Sequence, residues 1–129
     1  MSLSILVVDD EADAAELFRQ RFRHEIRVGT YVVHFAYSSG EALTLLTGGV
    51  EPPLIVILSD VNMPGMDGLD LLGEIKQRWP KLPVIMVTAY DDDERRRRAS
   101  ELGALEFLTK PVDFDHLKVQ LQGLPIAAD

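Results

Sequence analysis

The sequence predicts an α/β fold of three layers, a parallel five-stranded sheet between helices, and three observations predict it. Apolar runs alternate with stretches of helical periodicity five times along the 129 residues. The central runs are apolar at successive positions rather than at every second one, as in strands buried on both faces. The polar residues that end these runs, Asp9, Asp10, Asp60, Thr88 and Lys110, all fall at strand carboxyl ends, where open α/β sheets place their ligands. Alternation with right-handed crossovers gives the parallel sheet.

Each element has its own signal. Ser4–Val8 is an apolar run that stops at Asp9-Asp10-Glu11, a first buried strand. Ala15, Phe18, Phe22 and Ile26 recur at helical spacing and predict one helix, which Gly29 ends. Tyr31–Ala36 is β-branched and aromatic, a second strand. Ser38 with Glu41 three residues later is a capping box that opens a short helix closed by Gly48-Gly49. The third strand is Leu54–Asp60, between Pro52-Pro53 and the loop 61–68. Leu69, Leu72, Ile75 and Trp79 mark a helix that Pro80 closes. Residues 83–89 form a fourth strand that carries a hydroxyl, Thr88, at its end. From Asp91 to Leu102 acids precede Arg95-Arg96-Arg97-Arg98, an order that suits the helix dipole but leaves little apolar surface, so this helix is expected to be the least firmly packed. Residues 105–109 are a fifth strand followed directly by Lys110-Pro111. Phe114, Leu117, Leu121 and Leu124 give a last amphipathic helix, which Pro125 stops.

Composition bounds the function. The length fits one domain over residues 1–129, with a folded core at about 4–124 and a tail or linker at 125–129. Thirteen Lys+Arg against 21 Asp+Glu leave a net charge of −8, which speaks against nucleic acid or an anionic membrane as partner and for a bound cation. No cysteine is present, so disulfides and thiolate metal sites are excluded. With neither a membrane-length apolar run nor a signal-peptide pattern, a cytoplasmic location is expected.

The polar strand ends carry the chemistry. Carboxylates about 4 Å apart repel by about 4 kcal/mol per pair at an effective dielectric near 20, and a divalent cation relieves this. An all-oxygen donor set suits Mg²⁺, which keeps part of its hydration and joins phosphates. A carboxylate nucleophile beside a metal, a lysine and a hydroxyl is equipment for accepting a phosphoryl group, because phosphoryl transfer needs chiefly positioning and charge neutralisation.

Over essentially its whole length the chain resembles the receiver domain of two-component response regulators. The resemblance rests on Asp9-Asp10, on Asp60 with Met63-Pro64 and Gly68 after it, on Thr88-Ala89, and on Lys110-Pro111, in that order. It implies the flavodoxin-like strand order 2-1-3-4-5 and a phosphorylation-controlled switch rather than an enzyme. Asp60 would take a phosphoryl group from a phosphohistidine of a histidine kinase or a histidine phosphotransfer protein. Asp10, Asp60 and the Asn62 backbone carbonyl would ligate Mg²⁺, with Asp9 directly or through water. Thr88 and Lys110 would hold phosphoryl oxygens, and the Lys110-Pro111 bond would be cis. Thr88 and Phe107 would be the switch pair, reshaping the surface of the fourth helix, fifth strand and last helix toward an output domain, an effector protein or a second copy in a homodimer. Asn62 and Tyr90 would tune the lifetime of the phosphoryl group. The sequence departs from the family pattern at Phe107, where many members have Tyr, and in its four consecutive arginines.

A second reading comes from the enzyme class: a Mg²⁺-dependent phosphohydrolase of the haloacid-dehalogenase type uses the same groups. Such enzymes carry the nucleophile in the first strand within Asp-x-Asp, whereas here the acidic pair comes first and Asp60-Val61-Asn62 lacks a second acid. Chain order therefore favours the switch. Flavin or dinucleotide binding is disfavoured by the absence of a Gly-rich turn after the first strand.

Overall fold

A computed structural model of the chain describes residues 2–89 and 92–124. Five strands, β1 (Leu3–Val8), β2 (Tyr31–Ala36), β3 (Leu54–Asp60), β4 (Val84–Thr88) and β5 (Glu106–Thr109), pair in parallel in the order β2-β1-β3-β4-β5. The helices are α1 (Ala12–Arg21), α2 (Arg23–Arg27), α3 (Ser39–Gly48), α4 (Gly68–Arg78), α5 (Asp93–Glu101) and α6 (Phe114–Gln122). This is the flavodoxin-like architecture that the sequence predicts. The strand order reverses between β1 and β3, the switch point at which open sheets form their ligand crevice.

The continuous apolar runs are buried on both faces of the sheet. One face packs Leu6, Ile57 and Met86 against Leu72 and Ile75 of α4, while the other packs Ile5, Leu58 and Ile85 against Phe18, Phe22 and Leu117. Phe18 and Phe22 stack at 5.5 Å, and Phe114 meets Phe18 edge-on at 5.1 Å. Among the described residues no helix is long and apolar enough to cross a membrane.

Short polar side chains start four of the helices. Ser38, Asp67, Asp92 and Asp113 each accept a hydrogen bond from backbone N–H groups of the first turn, which satisfies donors that have no partner within the helix. The predicted capping box is present with one change: Glu41 Oε1 accepts from Tyr37 N–H at 3.1 Å, one residue before the cap.

One predicted helix is two. The apolar series Ala15, Phe18, Phe22, Ile26 implies a continuous helix, but the chain kinks at Phe22 (φ −103°, ψ 11°) and resumes as α2. Lys118 Nζ of α6 donates to the Arg21 carbonyl at 2.7 Å and pairs with Glu25 at 3.1 Å. A tertiary donor thus replaces the helical one, and Ile26 is turned outward at 38 % exposure.

Candidate functional site

Parallel register brings the polar strand ends together. Val8 lies beside Ser59, Asp60 beside Val87, and Thr88 beside Thr109, so the residues just past β1 and the end of β4 flank the end of β3, and Lys110, just past β5, lies one strand further out. Asp60 (6 % exposed), Asp9 (7 %) and Thr88 (0 %) are buried there, while Asp10 and Glu11 are exposed. Carboxylate oxygens of Asp9, Asp10, Glu11 and Asp60 all lie within 4.8 Å of one another. Of these, Glu11 is not among the metal candidates read from the sequence, although its place directly after the acidic pair is visible there.

Lys110 reaches into this cluster. Its Nζ donates to Asp9 Oδ2 at 3.0 Å and stands 3.8 Å from Asp60 Oδ2. The Lys110–Pro111 peptide is cis, as is Glu51–Pro52. Burial of the Lys110 ammonium works to lower its pKa, but the hydrogen bond to Asp9 and the charges of Asp60, Asp9 and Glu11 outweigh this, and the pKa is raised. Asp60 is pushed up to about 6, first by burial and then by the charges of Asp9 and Asp10, against the opposing pull of Lys110 and the Asn62 N–H.

The loop after β3 is held from several sides. Asn62 N–H donates to Asp60 Oδ1 at 3.3 Å, and Asn62 Nδ2 reaches Thr88 Oγ1 at 3.4 Å. Gly68 N–H closes the loop onto the Val61 carbonyl at 2.8 Å, and Ser39 Oγ donates to Met66 O at 2.7 Å. Gly68 has a steric reason to be glycine: a Cβ there would sit 2.0 Å from the Asp60 carbonyl oxygen and 2.8 Å from Val61 Cα. Asp60 also lines a cleft of about 450 Å³ that runs between α1 and the start of α6, with Leu17, Phe18, Val112 and Phe114 on its apolar walls.

Phe107 of β5 is buried, 8 % exposed, beside Met86 in register and diagonal to Thr88. Tyr90, the second residue expected to tune phosphoryl lifetime, lies outside the described residues, as does the tail 125–129.

Comparison with known proteins gives one answer. The model of the response regulator receiver domain matches residues 5–122. The transcriptional regulatory protein ZraR of Salmonella typhimurium is 36 % identical over 120 residues, covering 93 % of this chain and 26 % of ZraR. The chain thus spans about a quarter of the length of such curated relatives. A receiver domain protein from Clostridium thermocellum superposes with a TM-score of 0.82 at 31 % identity over 93 % of this chain and 91 % of that one. The response regulator TrrA of Thermotoga maritima, solved in complex with Mg²⁺ and BeF, superposes at 0.77 with 32 % identity over 92 % and 96 %. Nothing in these matches supports a haloacid-dehalogenase-type hydrolase. With residues 5–122 matched by the family model and 93 % of the chain superposing on a receiver domain, the chain belongs to the response regulator receiver domain family, a signalling domain of two-component systems.

Proposed function

We propose that Asp60 is the phosphoryl acceptor of this receiver, charged by a phosphohistidine of a histidine kinase or of a histidine phosphotransfer protein. The observation that carries the reading is the placement of a buried carboxylate 3.8 Å from the Lys110 ammonium, in a crevice shared with Asp9, Asp10, Glu11, Asn62 and Thr88. An Asp60 oxygen attacks phosphorus, the P–N bond breaks, and the histidine nitrogen leaves with the electron pair. Lys110 offsets the negative charge spread over the phosphoryl oxygens, and the Thr88 hydroxyl donates to one of them.

The donor set fits Mg²⁺. It is all oxygen, and one lysine faces four carboxylates, leaving an excess of negative charge that a hard divalent cation offsets. Asp9, Asp10, Asp60 and the Asn62 carbonyl are the residues that would hold it. When bound, the ion neutralises charge on the acceptor and on the incoming phosphoryl group. The complex of TrrA with Mg²⁺ and BeF supports this assignment by similarity.

In this reading Asn62 and Tyr90 set how long the phosphoryl group survives slow hydrolysis, and Thr88 with Phe107 carries the change to the surface of α5, β5 and α6. An output domain, an effector protein or a second copy reads that surface. The chain's own chemistry is limited to accepting and losing the phosphoryl group, and its location is cytoplasmic, with the kinase.

Intact mass after incubation with acetyl phosphate and Mg²⁺ tests the assignment. One phosphoryl adduct is expected on the wild type and none on Asp60→Asn. Absence of the adduct, or its survival in the variant, overturns it.

A further inference from the structure

The four-arginine run is the sequence feature that phosphoryl transfer leaves unexplained, and its members have different surroundings. Arg97 pairs with Glu94 at 2.9 Å and Glu101 at 4.0 Å along an exposed helix face. Arg98 approaches Asp70 of α4 at 3.9 Å. Both are contacts of a solvated surface, where ion pairs contribute little. Arg96 differs: its guanidinium carbon lies 4.8 Å from the centroid of the Phe107 ring, and its Nη1 donates to the Phe107 carbonyl at 3.4 Å. One side chain of α5 therefore holds both the ring and the backbone of the same β5 residue.

Phe107 has no hydroxyl with which to fix its ring by a hydrogen bond. Its ring is nonetheless buried, packed in the core cluster with Met86 and Ala99. A guanidinium over the ring face supplies an attraction that needs no hydroxyl, and the second contact to the carbonyl fixes the approach. We propose that Arg96 is a positioning residue for Phe107: it latches the ring in its inward place and thereby couples the crevice at Thr88 to the α5 surface. The coupling to phosphorylation rests on the reading of Asp60 above, whereas the latch itself does not.

By linkage, a group that favours the inward ring favours phosphorylation to the extent that phosphorylation favours the same ring position. An exposed cation–π contact corresponds to a factor of about two to five. Arg96→Met removes the charge and keeps the stem, and Arg96→Lys keeps the charge but loses the planar fork. With fluorinated phenylalanine in all five Phe positions, the Phe107 ¹⁹F signal is identified by its loss in Phe107→Leu. In the unphosphorylated full chain, Arg96→Met is expected to move that signal toward its solvent-exposed value, Arg96→Lys to restore it in part, and the melting temperature to stay within a degree or two. The initial rate of adduct formation from acetyl phosphate is expected to fall two- to fivefold in Arg96→Met.

An unmoved Phe107 signal in Arg96→Met overturns the latch. A moved signal with an unchanged phosphorylation rate overturns the coupling. Failure of the wild type itself to form an adduct overturns the Asp60 assignment, and the ring signal of the resting protein still decides the latch.

Discussion

At the scale of single residues, Asp60 is placed at some cost to the fold. Its carboxyl is buried among like charges, and its pKa rises from 3.8 to about 6. The native state therefore binds a proton more tightly than the unfolded chain does. Between about pH 4 and pH 6, stability falls as pH rises and this proton is lost, and above pH 6 the deficit is constant, of order 2–3 kcal/mol. In EDTA at pH 7.5, Asp60→Asn is expected to melt above the wild type, with the gap closing as pH is lowered through that window in a thermal-melt series. Mg²⁺ is expected to raise the wild-type melting temperature and to do little for the variant. A variant that melts with the wild type at every pH would show that burial of this carboxylate is cost-free. The acid at the end of β3 is plain in the sequence. Its raised pKa is not, because that depends on the depth of the crevice and on Asp9 and Asp10 arriving from a segment about 50 residues away in the chain, against the opposing pull of Lys110.

Among the elements, α4 and α5 flank the acceptor with opposite mechanical character. α4 begins at Gly68, against the Asp60 backbone, and buries Leu69, Leu71, Leu72 and Ile75. α5 buries only Ala99, in keeping with the weak packing read from its acids and arginines. Gly68→Ala is expected to cost about 2–3 kcal/mol in urea unfolding, because its Cβ would meet backbone rather than a movable side chain. Gly48→Ala, where nothing lies within 4 Å, is expected to be neutral or slightly stabilising and serves as its control. Equal losses for the two would remove the steric account of Gly68. The split of the first predicted helix belongs at this scale too. Apolar spacing reports which residues face the core, and it does so correctly for Ala15, Phe18 and Phe22; it is blind to a donor such as Lys118, which replaces a helical hydrogen bond from outside the helix.

For the molecule as a whole, the three-layer parallel sheet and the convergence of Asp9, Asp10, Asp60, Thr88 and Lys110 on one edge were legible in the residues themselves, and the strand order in their resemblance to receiver domains. Uninterrupted apolar runs and strand-end polar residues are direct imprints of a buried parallel sheet. The contact of Arg96 with Phe107 was not legible, since side chains 11 residues apart in sequence meet only through the packing of α5 on β5. Shifting a two-state switch from 1:99 to 99:1 takes about 5.5 kcal/mol of differential binding. With α4 firmly packed, the change is expected in the thinly packed segment. Hydrogen exchange with and without beryllofluoride and Mg²⁺ should therefore alter protection at 93–109 and leave 68–78 nearly unchanged. A uniform response of both segments would show that the sheet moves as one body.

The bond from Lys118 to the Arg21 carbonyl joins residues 97 apart in sequence, and the Phe18–Phe114 contact spans a similar interval. During synthesis this imposes an order of assembly. A nascent chain that has not yet emitted residue 114 carries Phe18 and Phe22 with no α6 to cover them, so one aromatic flank of the sheet stays wet until residues 114–122 are made. Long-range closure of this kind is slow, and the interval before it is when the unfinished chain is most open to aggregation.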